Sequence, residues 1–182
     1  VASKAPIDSW GVGTHMVTGG NESSFTGVYK LAARHDKKTD RMVPAMKFSD
    51  NPAKTTNPGI KNVFRLYDEN GMAVADILAL ESETIKDGEE YRFYHPMVDY
   101  RQFSCRIFKA EPLLKCRLKD GKRTSPRRPD AEQLRLSRET LQKQLASLDE
   151  SYKRILNPHI YKVSMTEELK NLKLEFIKKN IR

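Results

Sequence analysis

Residues 62–80 read NVFRLYDENGMAVADILAL and carry the clearest local pattern in the chain. Two largely apolar segments flank Glu69, Asn70 and Gly71. The Asn-Gly pair favours tight turns, because both residues tolerate the positive φ angles that such turns need. This stretch therefore predicts an antiparallel β-hairpin.

The segment before the hairpin predicts a lysine-rich loop. It reads KFSDNPAKTTNPGIK, with too many Pro, Asn, Asp and Gly residues for regular structure. Pro58 and Gly59 suit the centre of a type II turn. Lysine provides a point charge suited to phosphate, although a solvated surface loop is the alternative interpretation. The lysines recur at intervals of seven, at Lys47, Lys54 and Lys61.

Further strands are predicted after the hairpin, at residues 91–94 and 103–118, and Asp120 and Gly121 suit another hairpin turn.

A helix is expected to begin at Pro129 and Asp130 and to end before Pro158. Its apolar stripe predicts a face buried in the core, and comprises Leu134, Leu141, Leu145, Leu148 and Tyr152.

The last helix is predicted by a capping box. Ser164 and Glu167 have the spacing of this motif and precede Leu169, Leu172 and Phe176. We therefore expect Ser164 to be the N-cap residue.

The N-terminal part contains a glycine turn. Residues 6–14, PIDSWGVGT, predict a short strand that ends at Gly11 and Gly13, and residues 27–34 predict a second strand. Backbone N–H groups in such a turn can bind phosphate, although most isolated G-x-G turns only end a strand. If phosphate binds here, a Cβ at Gly13 should clash with the ligand or force a poorly populated backbone angle.

Composition excludes several classes of protein. The 182 residues are 38% hydrophobic and 31% charged, which predicts a soluble globular chain of one domain, or one domain with an appendage. No apolar run reaches the roughly 18 residues of a membrane helix. Two cysteines are too few for a structural zinc site and fit a reducing, intracellular setting. Because there is no initiator Met, we expect a piece of a longer protein.

The net charge of +9 is unevenly distributed: residues 1–100 carry 12 basic and 14 acidic groups, and residues 101–182 carry 21 and 10. A basic cluster in the second part could bind RNA, but it lacks interleaved aromatic residues, which favours a solvated hairpin and linker. The cluster comprises Lys115, Arg117, Lys119, Lys122, Arg123, Arg127 and Arg128.

The order of these motifs resembles the C-terminal part of the nicotinate phosphoribosyltransferase family, in its longer bacterial form. The most specific element is K-x-S-x-x-P-x-K-T-x-x-P-G-x-K at residues 47–61. The other matching segments are IDSWGVGT at 7–14, GVYKLAA at 27–33, EPLLKCRLKDGKR at 111–123 and NPHIYKVSMTEEL at 157–169.

The resemblance implies an α+β fold. Residues 1–34 would contain the last strand of a TIM-like barrel of the type II phosphoribosyltransferases, the phosphate-binding turn and the following strand. Residues 35–128 would form the lysine-rich loop and a β-rich domain, and residues 129–182 a C-terminal helical segment.

The resemblance also implies substrate contacts. Four residues of the glycine turn would hold the ribose 5-phosphate, as barrel folds commonly do, and three lysines would face the phosphate and pyrophosphate. The turn comprises Gly11, Val12, Gly13 and Thr14, and the lysines are Lys30, Lys47 and Lys54.

The family's catalytic histidine and pyridine pocket lie upstream, so we expect no catalytic residue here, and His15 does not replace that histidine. For the full enzyme the resemblance implies an ATP-dependent ligase or glycosyltransferase of NAD salvage, with nicotinate, phosphoribosyl pyrophosphate, ATP and Mg²⁺. It further implies a cytoplasmic homodimer, with the N-terminal part of the same protein as a partner and neither nucleic acid nor membrane. This segment alone should be inactive. The alternatives are a nicotinamide or quinolinate phosphoribosyltransferase segment, or a basic RNA-binding or interaction module.

Overall fold

The computed structural model describes residues 6, 8–19, 29–49, 54–98 and 100–180. Its main element is a six-stranded mixed sheet with the strand order β6-β5-β10-β4-β3-β7. The strands are β3 (Lys61–Tyr67), β4 (Ala73–Leu80), β5 (Glu90–Tyr94), β6 (Gln102–Arg106), β7 (Lys109–Pro112) and β10 (Val163–Met165).

The predicted hairpin is confirmed as β3 and β4, which pair antiparallel with Phe64 opposite Ile77. Gly71 has a φ of +75°. The side chain of Asp68 stabilises the turn, because its Oδ1 atom accepts hydrogen bonds from the backbone N–H groups of Asn70 and Met72, both at 2.9 Å. The turn chemistry that the sequence predicts therefore determines the register of the central strand pair.

The sheet is strongly curled. Strands β6 and β7 lie at opposite ends of the strand order, yet only Ile107 and Phe108 connect them. The Cα atoms of Arg106 and Lys109 are three residues apart along the chain and so lie at most about 11 Å from each other, which requires these two edges to approach. Ile107 anchors the connection by donating its N–H to the Glu89 carbonyl at 2.8 Å and accepting the Gly88 N–H at 2.7 Å.

The curled sheet encloses the hydrophobic core. Alternate residues of each strand point inward, as the period of two requires. Phe93 is fully buried and lies 5.5 Å from Phe103 between ring centroids. The other core residues are Phe64, Leu66, Ala75, Ile77, Ala79, Ile85 and Ile107.

Strand β10 and helix α3 (Glu167–Asn180) complete the sheet late in the sequence. Strand β10 lies between β4, to which it is parallel, and β5, to which it is antiparallel. The predicted capping box is wrong, because Ser164 is a buried residue of β10. Thr166 caps the helix instead, with its Oγ1 atom 3.4 Å from the Leu169 backbone nitrogen. The last predicted segment thus contributes a strand to the main sheet. The division of the chain into three segments stays a prediction.

The long helix is shorter than predicted and has no buried residue. Helix α2 (Asp130–Ala146) forms where it is predicted, but it ends well before Pro158 and is followed by a short 3-10 helix at Glu150–Tyr152. None of its residues is buried, and Leu134 and Leu141 are more than half exposed. The prediction that its leucine stripe is core is therefore wrong, since periodicity indicates an apolar face without indicating what covers it.

Three small elements lie outside the main sheet. Strands β1 (Ala33–Asp36) and β2 (Arg41–Pro44) form a hairpin, and helix α1 (Thr14–Thr18) follows the glycine turn. Strands β8 (Leu118–Lys119) and β9 (Lys122–Arg123) form the hairpin predicted at Asp120 and Gly121, and the basic cluster around it is exposed throughout. Among the described residues, none of the helices has both the length and the apolarity to cross a bilayer.

The buried aromatic core should dominate stability. Replacing Phe93, which is fully buried, with Ala is expected to lower the free energy of unfolding by about 3–5 kcal/mol, because it leaves a cavity inside the curled sheet. Phe108→Ala is the matched control, since Phe108 is 60% exposed, and should cost less than about 1 kcal/mol. Urea denaturation followed by circular dichroism measures both values, and equal losses would contradict this assignment of the core.

Candidate functional site

The lysine-rich loop is organised around a buried turn. Pro58 and Gly59 are both buried, and Gly59 has a φ of +85°, as a type II turn requires at its third position. A Cβ on Gly59 would lie 3.0 Å from Cδ2 of Leu80 and 3.4 Å from Cδ2 of Leu172. The turn is therefore packed between β4 and α3, and only glycine fits it without strain.

The carbonyl oxygen of Ala32 joins the three segments that carry the candidate lysines. It accepts hydrogen bonds from the N–H groups of Ala45 and Gly59, both at 2.8 Å. Ala32 is two residues from Lys30, and Ala45 is two residues from Lys47. Gly59 belongs to the loop that contains Lys54. The backbone thus brings the three segments together at one point.

A second pair of hydrogen bonds holds Lys47 in place. Its N–H donates to Oγ1 of Thr56 at 2.9 Å, and its carbonyl accepts the Thr56 N–H at 3.2 Å. The side chains of Lys30, Lys47 and Lys54 are all exposed. Lys47 is thus held through its backbone, and the ammonium groups of all three lysines face solvent, where they are accessible to a soluble anion.

Lys61, the third lysine of the periodic set, has a different role. Its Nζ atom donates to the carbonyl of Asn57 at 2.8 Å and to that of Gly59. Burial lowers the pKa of this ammonium group. Lys61 therefore stabilises the turn of its own loop, a role that the spacing of seven does not distinguish from phosphate binding.

The glycine turn differs from the prediction. Residues 6 and 8–13 form no strand, Ile7 lies outside the described residues, and Gly11, Val12 and Gly13 are exposed. Gly13 has a φ of −86°, and a Cβ on Gly11 or Gly13 would meet no atom within 4 Å. The expected backbone strain at Gly13 is therefore absent, because this conformation suits any residue.

The second predicted N-terminal strand is only partly present. Strand β1 begins at Ala33, so Lys30 lies in an irregular segment, while residues 27 and 28 lie outside the described residues. The backbone hydrogen bonds of the glycine turn connect it to α1, through Gly13 to Met16 and Val17. It stays a prediction that the glycine turn, at Gly11, Val12, Gly13 and Thr14, shares a ligand with the three lysines.

A polar cluster that sequence reasoning missed lies on β3 and β4. Arg65 forms a bidentate ion pair with Asp76, with its Nε and Nη2 atoms 2.8 and 2.9 Å from the two carboxylate oxygens. The Tyr161 hydroxyl donates a hydrogen bond to the same carboxylate at 3.1 Å. The hydrogen bonds to Asp76 raise the pKa of Arg65, and burial raises that of Tyr161. Arg65 and Asp76 stand opposite each other in the hairpin register, and this symmetry about the turn is the signal that could have revealed them.

Among the described residues, no group of three or more His, Cys, Asp or Glu side chains could hold a metal ion.

Comparison with known proteins identifies the family. The sequence profile of the nicotinate phosphoribosyltransferase C-terminal domain matches residues 60–173. The chain belongs to this family. It is 32% identical to nicotinate phosphoribosyltransferase of Bacillus subtilis over 179 residues, which cover 97% of this chain and 35% of that protein. It is 34% identical to the human protein of the same name over 163 residues, 89% of this chain and 28% of that one.

The fold agrees with the family. The crystal structure of human nicotinic acid phosphoribosyltransferase matches with a TM-score of 0.59 and 29% identity, covering 67% of this chain and 24% of that chain. The chain thus spans about a third of the length of the relatives that it matches. The resemblance inferred from the motifs is confirmed for the family and for the C-terminal position.

The two glycines that the sequence highlights should respond differently to substitution. Gly59→Ala should lower the free energy of unfolding by about 1–3 kcal/mol, because a Cβ is strained at this positive φ and contacts Leu80. Gly13→Ala should leave stability unchanged or raise it by up to about 1 kcal/mol, because its backbone already suits alanine. Thermal unfolding of both variants tests this pair, and a larger loss at Gly13 would refute the described geometry.

Proposed function

We propose that this chain forms the C-terminal part of an ATP-dependent nicotinate phosphoribosyltransferase. The full enzyme would join nicotinate to phosphoribosyl pyrophosphate, with ATP hydrolysis, to form nicotinate mononucleotide for NAD salvage. This segment would bind the phosphate groups of the sugar substrate and contribute dimer contacts. The relatives that we compare carry the name nicotinate phosphoribosyltransferase, which favours nicotinate over nicotinamide or quinolinate as the nucleobase.

The observation that carries the proposal is the convergence at the Ala32 carbonyl. Displacing pyrophosphate from an activated ribose builds negative charge on the leaving group, and fixed cations stabilise that charge. The segments that carry Lys30, Lys47 and Lys54 are held by hydrogen bonds of 2.8 to 3.2 Å between residues distant in sequence. Ammonium groups on such a backbone would bind phosphate without a large loss of conformational freedom.

The remaining parts of the reaction would come from outside this chain. The N-terminal part would provide the TIM-like barrel, the nicotinate pocket and the catalytic histidine, and the active enzyme would be a cytoplasmic homodimer. The described residues do not offer a carboxylate cluster for Mg²⁺, so a metal ion would be held by substrate phosphates and residues elsewhere. The contribution of this chain is the positive charge around the phosphate groups.

The isolated chain should lack activity. The purified 182-residue protein is expected to form no nicotinate mononucleotide from nicotinate, phosphoribosyl pyrophosphate, ATP and Mg²⁺, because phosphate-binding lysines alone do not orient the pyridine nitrogen. Product formation is measured by chromatography, with a full-length relative as the positive control. Turnover by this chain, after host enzyme is excluded, would overturn the proposed division of labour.

Replacing Lys54 should change the KM for one substrate far more than the KM for the other. In a full-length enzyme that contains this segment, Lys54→Ala should raise the KM for phosphoribosyl pyrophosphate about ten- to a hundredfold, the range expected for one lost hydrogen bond to a charged group. The KM for nicotinate should change little. Lys37→Ala, in the exposed turn between β1 and β2, is the matched control. Equal increases in both KM values, or the same effect in the control, would contradict the proposed phosphate contact.

A further inference from the structure

A cavity of about 450 Å³ lies beside the edge strand β6, away from the lysine-rich loop. One side is the loop that connects β5 to β6, and the other is the segment at 160–164 that leads into β10. Its volume falls within the roughly 300–1,000 Å³ of small-molecule sites. None of its lining residues belongs to the lysine-rich loop or the glycine turn, although residues 160–164 lie in the family-matching segment at 157–169.

The walls of the cavity are largely apolar. The ring of Phe103 forms one wall, and Met97, Ile160 and Val163 form others. These last three side chains are 54%, 93% and 45% exposed, respectively. Apolar side chains gathered around a concave surface gain free energy when an apolar group displaces the water that they contact.

Among the described residues that line the cavity, the charged side chains are those of Lys162 and Arg101. Lys162 lies with its Nζ atom 5.1 Å from the centre of the Phe103 ring, and Arg101 lines the rim. No Asp or Glu is among the described residues that line the cavity. The apolar walls and the cationic rim together suit a molecule that is apolar at one end and anionic at the other.

Residues 95–98 and 101, on one side of the cavity, are held by hydrogen bonds. The Nδ1 atom of His95 accepts hydrogen bonds from the N–H groups of Met97 and Val98, both at 3.1 Å, which leaves Nε2 as the nitrogen that carries the proton in the neutral ring. The loop is closed by the His95 N–H, which donates to the Arg101 carbonyl at 2.9 Å. Lys173 of α3 donates to the Pro96 carbonyl at 2.8 Å. A pre-ordered wall of this kind lowers the entropic cost of binding.

We propose that this cavity binds a small molecule with an aromatic or aliphatic body and one anionic group. The body would lie against Phe103, Ile160 and Val163, and the anion would be paired with Lys162. This assignment uses none of the residues of the lysine-rich loop, so its test does not depend on the proposed phosphate site.

The test uses a pair of dyes that differ in charge. The dye 1-anilinonaphthalene-8-sulfonate is an apolar anion, and N-phenyl-1-naphthylamine is its uncharged analogue. Fluorescence titration of the 182-residue chain should give saturable binding of the sulfonate. Lys162→Gln should raise the Kd of the sulfonate about tenfold, the loss expected for one charge-assisted contact, and leave that of the uncharged dye unchanged. Ile160→Ser should weaken both dyes, because it removes part of the apolar wall.

The matched control is Lys109→Gln. Lys109 also lies over an aromatic ring, with its Nζ atom 5.4 Å from the centre of Tyr67, but it does not line this cavity. Lys109→Gln should leave the Kd values of both dyes unchanged. Sulfonate binding that Lys162→Gln does not weaken would overturn the proposal, and so would binding that Ile160→Ser does not weaken, an equal loss in the control or no binding at all. Circular dichroism of each variant verifies that the fold is retained.

Discussion

The two-residue connection between β6 and β7 constrains the whole sheet. These strands lie at opposite ends of the strand order, so Ile107 and Phe108 can join them only if the sheet curls until its edges approach. A curled sheet has an inner face, and Phe93, Leu66 and Ile77 pack there together with Ile85 from the loop after β4. Ile107 belongs both to the connection and to the core, so the same residue closes the sheet and fills it. The position of β10 between β4 and β5 then extends the inner face with a strand from the far end of the chain.

The lysine-rich loop depends on this sheet for its position. Gly59 packs against Leu80 at the end of β4 and against Leu172 of α3, and α3 reaches that place because β10 precedes it within the sheet. The Gly59 N–H in turn donates a hydrogen bond to the carbonyl of Ala32. The segments with the exposed lysines are thus connected to the core through backbone contacts. A variant that loosens the core should disturb the proposed phosphate site as well, although none of its lysines is buried.

The cationic groups of the protein serve different physical purposes. Arg65 is held by Asp76 on the sheet, and Lys61 is bound to carbonyls of its own turn, so both contribute to structure. Lys54 is exposed in a loop whose turn is hydrogen-bonded to Ala32, which suits an anionic ligand. Lys162 lies over Phe103 at a cavity with apolar walls, which suits an anion that carries an apolar body. Three of these four cations are lysines, so the surroundings of each side chain, and not its residue type, determine whether it stabilises the fold or suits a ligand.

The sequence by itself determined the local features that depend on neighbouring residues. The turn at Gly71, the positive φ at Gly59, the hairpin at Asp120 and Gly121 and the start of α2 all follow from backbone preferences over a few positions. The motif order was also sufficient to recognise the family. Only the tertiary structure decided which apolar faces are covered and which polar groups meet. Lys61 binds carbonyls two and four residues away, so its role follows from the conformation of the turn and not from the spacing of the lysines. The leucine stripe of α2 is exposed and Ser164 is in a strand, because both outcomes depend on contacts between residues distant in sequence, for which local periodicity carries no information.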